Sequence, residues 1–432
     1  MTYDEGSLKS MVNWEEGLIS PQLFIDEDLY KEEQEKIFGR AWLFLAHDSM
    51  IPNVHDFFTT YMGGDPVLVT RRPDGSVGAF LNACRHRGMR VCRAEDGNAK
   101  FFTCTYHGWA YDSNGKLTNV PHLDDAYFDE LDTTANGLIP VAKVESYRGF
   151  IFGTFDASAP PLIDYLGEMK FFIDGISDHS PDGIEVLPGV IKWTIHSNWK
   201  LAAEQFAGDG YHAVTTHASS IMQMRDSINP VNGGQASFPE GHGVSYMFNE
   251  DARFDNESLQ AYYDTRKEVG LDRVGERISL VGNYNVFPNF SGLLNGNDFR
   301  VWHPKGPNSF EIWKFCIVDK NAPDDVRKEV QRTSGMTEGA AGVVEVDDGE
   351  NWDLIGRQLE QGTQVRKMAW NYQMGINHED AVHNDFPGRL GSRYFGEGPQ
   401  RSFYRRWLEY MTSDQWPHLP TLETSATTEE AR

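Results

Sequence analysis

Cysteine is scarce in this chain, with only Cys84, Cys92, Cys104 and Cys316 among 432 residues. So few thiols cannot staple a chain of this length, which excludes a disulfide scaffold. Long apolar runs are missing too. No stretch approaches the ~18 residues of a membrane-spanning helix. Residues 1–14 lack the basic start and apolar run of a secretion signal. A cytoplasmic location without a membrane anchor is expected. Basic residues are outnumbered, 39 Lys and Arg against 64 Asp and Glu, for a formal charge of −25. Phosphate backbones and anionic membrane surfaces attract the opposite sign, so neither nucleic acid nor membrane is expected as a partner. Also missing are a G-x-G-x-x-G dinucleotide fingerprint, a phosphate-cradling G-x-x-x-x-G-K-[ST] loop and a G-x-S-x-G nucleophile turn.

What is present is ordinary globular composition, 40% apolar and 12% aromatic. The length exceeds the ~250–300 residues at which single cores stop growing. Residues 21–47 read as helical. Residues 55–155 change to short apolar runs parted by Asp-Gly, Asn-Gly and Gly-Gly pairs, the pattern of antiparallel hairpins. Helices are predicted at 162–178, 197–220 (capped by Ser197 or Asn198) and 323–334, and strands at 183–196 and 280–320. The last twenty residues, rich in Thr, Ser and Glu, read as a loose tail. The expected fold class is α+β: a small antiparallel β domain, residues 41–157, inserted in a larger α+β domain built from 1–40 and 158–432.

Two constellations carry chemistry. Residues 84–88 read C-R-H-R-G and residues 104–109 read C-T-Y-H-G-W. Each loop offers one thiolate and one imidazole. In a Rieske [2Fe–2S] cluster two cysteines hold one iron and two histidines the other, and imidazole raises the reduction potential. A structural zinc site also uses Cys₂His₂, but it usually pairs like with like along the chain. Cys92 and Cys316 have no partner at useful spacing and read as small buried apolar residues.

The second constellation is E-Q-F-A-G-D-G-Y-H-A-V-T-T-H at 204–217. His212 and His217 lie five apart, about 140° on an ideal helix, so either the helix is distorted or His217 lies past its end. Asp209 lies three before His212, where a carboxylate could orient a metal-bound imidazole. Two histidines need one carboxylate to complete the facial triad of mononuclear iron(II) oxygenases. Both Asp347 and Asp348, in E-V-D-D-G-E-N-W at 345–352, qualify by chemistry. The near-match to H-E-x-x-H at 378–383 carries one residue too many for a zinc-protease helix and is read as a solvated loop.

From about residue 20 to 410 the chain resembles the catalytic α subunit of a Rieske non-haem iron ring-hydroxylating dioxygenase. The resemblance rests on both constellations, on F-G-R-A-W-L-F-L-A-H at 38–47, on G-N-A-K-F-F-T-C-T-Y-H-G-W-A-Y-D at 97–112, and on N-W-K-L-A-A-E-Q-F at 198–206. The last two are closest to the toluene, biphenyl and phenylpropionate types. The resemblance implies a catalytic domain with an antiparallel sheet of helix-grip (START-like) form. It implies that Cys84, His86, Cys104 and His107 hold the cluster, and that His212, His217 and Asp348 hold Fe(II), Asp348 because the family uses the second acid of the pair. Asp209 would bridge the cluster of one subunit to the iron of its neighbour, with Gln205 beside it. Phe206, Ala213, Asn283, Leu293 and Val344 would line the substrate pocket, with Ser334 also aligned there. A small β subunit in an α3β3 assembly, a ferredoxin and a reductase that draws electrons from NADH are implied as partners.

The implied reaction is O₂-dependent cis-dihydroxylation of a mono- or polycyclic arene. An aromatic carboxylate would need an Arg anchor. A Rieske monooxygenase or O-demethylase shares both sites and gives one hydroxyl or formaldehyde instead. A pure electron carrier or a zinc-stapled binding protein would dispense with the second site.

Overall fold

The computed structural model describes residues 3–219, 233–248, 256–378, 386–391 and 394–418. The glycine-punctuated stretch folds as hairpins, as its alternation predicts. Strand Asp56–Met62 turns into Asp65–Arg71 through Gly63-Gly64. Strand Lys143–Tyr147 turns into Phe150–Thr154 through Arg148-Gly149, with φ of 53° and 85°. Positive φ at both central residues gives the mirror-image turn whose twist matches its strands. A Cβ at Gly149 would also meet the His47 ring at 2.6 Å. These hairpins form one four-stranded and two three-stranded antiparallel sheets.

The larger domain is built on a nine-stranded sheet. Its order is Ile184–Val186, Ser309–Asp319, Asp298–Gly306, Phe290–Leu294, Leu280–Val286, Gly243–Phe248, Gly233–Ser237 and Arg389–Gly391, with Ile191–Ile195 also paired to Ser309–Asp319. Every pairing is antiparallel. The sheet wraps the helix Trp199–Gly208, hereafter the site helix, which also packs on the C-terminal helix Gly398–Thr412.

All ten residues of the site helix are buried. Its polar members must therefore be paired. Lys200 reaches Glu33 at 2.6 Å, and Glu33 also accepts the indole N–H groups of Trp199 and Trp407 at 3.1 and 2.7 Å. Glu204 accepts from the Tyr372 hydroxyl at 2.8 Å. Asn198 caps the N-terminus by accepting from the Lys200 N–H. An apolar core runs from the N-terminal segment through strand Leu43–His47 into the large sheet, where Phe44 stacks on Phe290 at 4.8 Å. The loops bearing Cys84 and Cys104 have a separate small core.

Three sequence expectations need correction. Residues 21–47 are not helical throughout. The helix Glu27–Glu33 ends in a widened turn, Gln34–Phe38, and Leu43–His47 is a strand buried on both faces. A short apolar run of this kind has no period that distinguishes helix from strand. The helix expected over 197–220 stops at Gly208, and a short turn, Ala213–Thr216, follows. The helix expected over 323–334 is longer, Asp324–Glu338. Residues 379–383 of the H-E-x-x-H near-match and residues 419–432 of the expected tail lie outside the described residues. Among the described residues, no helix is long and apolar enough to cross a membrane.

Candidate metal centres

Two loops of equal construction carry the thiolates. Cys84 N–H donates to the Met89 carbonyl and Gly88 N–H to the Cys84 carbonyl, both at 2.8 Å. Cys104 and Gly108 repeat the pattern with Trp109 and Cys104, at 2.8 and 3.0 Å. Gly88 and Gly108 take φ of 71° and 74°, a region that side chains strain. Both cysteines are buried and unpaired. The His86 and His107 rings lie 4.5 Å apart, and His86 stacks on Trp109 at 5.1 Å. The Tyr111 hydroxyl lies 3.4 Å from Cys84 Sγ and accepts from the Arg85 N–H at 3.0 Å, a contact the sequence did not flag.

One tetrahedral zinc would draw its four donors within about 4 Å of one another. Among the described residues, no three of these four donors lie within 4.8 Å of one another, whereas those of His212, His217 and Asp348 do. Donors spread across two irons fit the first arrangement. A Cβ at Gly108 would meet Pro121 Cγ at 2.9 Å, while one at Gly88 meets nothing. Gly108→Ala should therefore lower the iron and sulfide content per chain more than Gly88→Ala does, although both incur the ~1–2 kcal/mol strain of positive φ.

The second centre resolves the spacing puzzle. His212 and His217 bracket the turn Ala213–Thr216, beyond the end of the site helix. His212 Nδ1 donates to the Asp209 carbonyl at 2.6 Å, with Asp209 Oδ2 at 3.5 Å. A carbonyl only accepts, so the proton sits on Nδ1 and Nε2 keeps its lone pair. His217 Nδ1 faces Asp347 Oδ2 at 3.4 Å. Both Nε2 atoms then face one oxygen, Asp348 Oδ1, at 3.5 and 3.3 Å. That oxygen is buried without a hydrogen-bond partner. With both imidazoles neutral, two lone-pair nitrogens and a carboxylate oxygen cannot satisfy one another, whereas a cation among them takes all three as donors.

The surrounding carboxylates favour positive charge here, on a protonated imidazole or on a metal ion alike. Burial disfavours a charged His212, but Asp209 and Asp348 outweigh it and raise its pKa. His217 is raised in the same way by Asp348 and Asp347. Asp209, whose side chain is 30% exposed, is held low because its bonds from His212 outweigh desolvation.

The other candidates fall nearby or elsewhere. Gln205 Oε1 accepts from the Trp352 indole at 2.9 Å, which turns its amide nitrogen toward His212 Nε2 at 3.3 Å. Phe206 packs on Trp302 at 5.1 Å and under the Arg300 guanidinium at 4.7 Å. Asn283 and Leu293 are direct cross-strand partners. Ala213 opens the histidine turn, and Val344 immediately precedes the helix Glu345–Gln361 that carries Asp348. Ser334 is committed to Lys314, which donates to its carbonyl and hydroxyl at 2.7 Å. A cavity of about 560 Å³ beside Tyr262, Arg266 and Asp319 contains none of these residues.

Sequence reasoning missed a buried charge network next to the second centre. Arg300 bridges Asp298 at 2.7 Å and Glu345, with Glu338 at 3.6 Å, and Lys314 meets Asp298 at 3.2 Å. Its sequence trace is the i, i+2 pair Asp298 and Arg300 at the start of the strand Asp298–Gly306.

Comparison with known proteins finds two family matches along the chain. Residues 41–146 match the Rieske [2Fe-2S] domain, and residues 179–413 match the ring hydroxylating alpha subunit (catalytic domain). The chain is 44% identical to chlorobenzene dioxygenase subunit alpha of Cupriavidus sp. (strain PS12), over 93% of each chain. It is 39% identical to biphenyl 2,3-dioxygenase subunit alpha of Rhodococcus jostii (strain RHA1), covering 96% of this chain and 93% of the other. A naphthalene 1,2-dioxygenase mutant bound to phenanthrene superposes with a TM-score of 0.89 at 35% identity, over 96% of each chain. Rieske monooxygenases acting on quaternary ammonium compounds share the fold at 17% identity and a TM-score of 0.70. The chain belongs to the α subunits of the Rieske non-haem iron ring-hydroxylating dioxygenases, oxidoreductases that carry a [2Fe–2S] cluster and a mononuclear iron.

Proposed function

We propose that this subunit cis-dihydroxylates a neutral mono- or polycyclic arene. Cys84, His86, Cys104 and His107 hold the cluster, and His212, His217 and Asp348 hold Fe(II). When bound, the two metal groups supply O₂ activation and the electrons for it. The protein's own residues set the conditions. Asp209 fixes the His212 tautomer and stands between the iron of its own chain and the cluster of a neighbour. Asp347 orients His217. Gln205, turned by Trp352, sits over His212. Electrons reach the cluster from NADH through a separate reductase and ferredoxin, in a cytoplasmic setting. A small β subunit completes an α3β3 assembly.

One observation carries the choice of a neutral substrate. The interior cation beside candidate wall residue Phe206 is Arg300, and it is already engaged by Asp298, Glu338 and Glu345. An arginine so committed is a poor anchor for a substrate carboxylate. Phe206, Ala213, Asn283, Leu293 and Val344 leave the proposed wall largely apolar. The relatives named for chlorobenzene, benzene and biphenyl point the same way.

The test is product analysis under ¹⁸O₂ with the reconstituted system on benzene, biphenyl, naphthalene and benzoate. Dihydrodiols bearing two labelled oxygens are expected from the neutral arenes, with benzoate at least about tenfold slower because an unpaired carboxylate is costly to bury against an apolar wall. Benzoate as the best substrate would overturn the pocket reading. A single hydroxyl or formaldehyde as the sole product would overturn the dihydroxylation.

A further inference from the structure

The network around Arg300 raises a physical question. Arg300, Lys314, Asp298 and Glu345 are all buried, in a region where charges are costly to desolvate. Hydrophobic residues of equal volume would pack there without that cost, so the network's placement needs a reason. Its geometry supplies one. Glu345 is the first residue of the helix Glu345–Gln361, and Asp348 lies three residues on, on the same face. That helix starts without a side-chain cap, since Val344 occupies the capping position. Its first turn is gripped instead by Arg300 Nη1 on Glu345 Oε2.

Arg300 is itself fixed from three sides. Asp298, two residues away on the same strand, takes its Nη2 at 2.7 Å. Asp298 is in turn held by Lys314 from the neighbouring strand at 3.2 Å. The guanidinium lies over the Phe206 ring at 4.7 Å. Phe206 belongs to the site helix, which leads through Asp209 to His212. A single side chain thus touches the site helix through Phe206, a few residues before the histidine turn, and the helix that carries Asp348 through Glu345.

We propose that the Arg300–Glu345 pair is a positioning device that sets Asp348 Oδ1 opposite the two histidine nitrogens. The inference rests on the assignment of His212, His217 and Asp348 as iron ligands. Neither Arg300 nor Glu345 touches the donor atoms, so both act through the helix. The pair replaces a conventional cap with a link to the sheet. This makes the separation of the carboxylate from the imidazoles a property of the strand Asp298–Gly306 rather than of loop 339–344.

The experiment uses the full chain assembled with its β subunit, with the cluster in place and the mononuclear iron removed by a chelator. Fe(II) is then titrated back anaerobically, and cluster content is followed by visible absorption. Glu345→Ala should weaken Fe(II) binding about 10–100-fold, the usual effect of removing a group that orients a ligand, with cluster content and assembly unchanged. Glu345→Gln keeps a carbonyl acceptor for Arg300 and should restore affinity to within about threefold of the parent. Parental affinity in Glu345→Ala would overturn the proposal. So would loss of cluster and assembly in step with iron, because the pair would then hold the fold and not the ligand. A Glu345→Gln variant no better than Glu345→Ala would overturn it too, since the hydrogen bond would not be what holds the helix. His212→Ala separates the two readings. If it binds Fe(II) as the parent does, the ligand assignment itself fails; if it loses Fe(II) while Glu345→Ala does not, only the positioning role fails.

Discussion

Replacing His217 with alanine should abolish dihydrodiol formation while leaving the reddish-brown chromophore of the cluster in place. His217 closes the turn Ala213–Thr216 and brings Nε2 to 3.3 Å from Asp348 Oδ1. Without it two donors remain, and a facial site with two donors holds iron(II) weakly. The loss in turnover should exceed the ~10²–10³ typical of removing one electrostatic donor from an active site. The cluster should survive because its loops have their own core, built on Tyr111, Trp109 and Phe102. Chelatable iron, visible absorption and dihydrodiol yield on one preparation decide the matter. Turnover within tenfold of the parent would remove His217 from the ligand set. Loss of the chromophore would mean that the two centres do not fold independently.

Lys200→Met should have the largest effect on stability of any single change to the site helix. Lys200 and Glu33 are both fully buried and 2.6 Å apart. Removing the ammonium leaves Glu33 with two indole N–H donors but no countercharge. Breaking a buried pair from one side typically costs about 3–5 kcal/mol. The midpoint of urea unfolding should fall accordingly. Glu33→Gln combined with Lys200→Met removes both charges and should recover most of that loss. A single variant within about 1 kcal/mol of the parent would show that the pair is not needed to hold the helix.

What the sequence disclosed follows how far each signal must reach. The cluster loops were legible because chemistry fixes their spacing locally: Cys-x-His and Cys-x-x-His each lie within one turn of chain. The hairpins were legible because pairs such as Gly63-Gly64 and Asp74-Gly75 sit where the backbone must reverse; the Arg148-Gly149 turn carried no such signal. The candidate iron site was legible only in parts. On an ideal helix His212 and His217 diverge; here they flank one short turn, Ala213–Thr216, and His217 lies past its end, outside helical geometry. Asp347 and Asp348 are chemically alike, and the first turn of their helix decides which faces Nε2 and which faces Nδ1. The Arg300 network was invisible because its members, at 298, 300, 314, 338 and 345, come together only through the sheet and two helices. Strand Leu43–His47 was misread because full burial on both faces erases the alternation that marks a strand.

The N-terminal segment has a consequence for building chimaeras. Gln34 accepts from the Gly64 N–H, at the tip of a hairpin in the small domain, at 2.8 Å. One residue earlier in the chain, Glu33 pins the site helix and the C-terminal helix. Arg40 donates to the carbonyls of Tyr410 and Ser413, and its own carbonyl accepts from Thr154. These few residues form a clasp that touches the cluster domain, the iron domain and the chain's far end. A recombinant swap of cluster domains between relatives that cuts at residue 41 would pair one parent's clasp with the other's hairpin. Crossovers placed before residue 27, or transplants that carry 27–40 together with the cluster domain and compensate at Lys200 and Trp407, keep the clasp matched to what it holds.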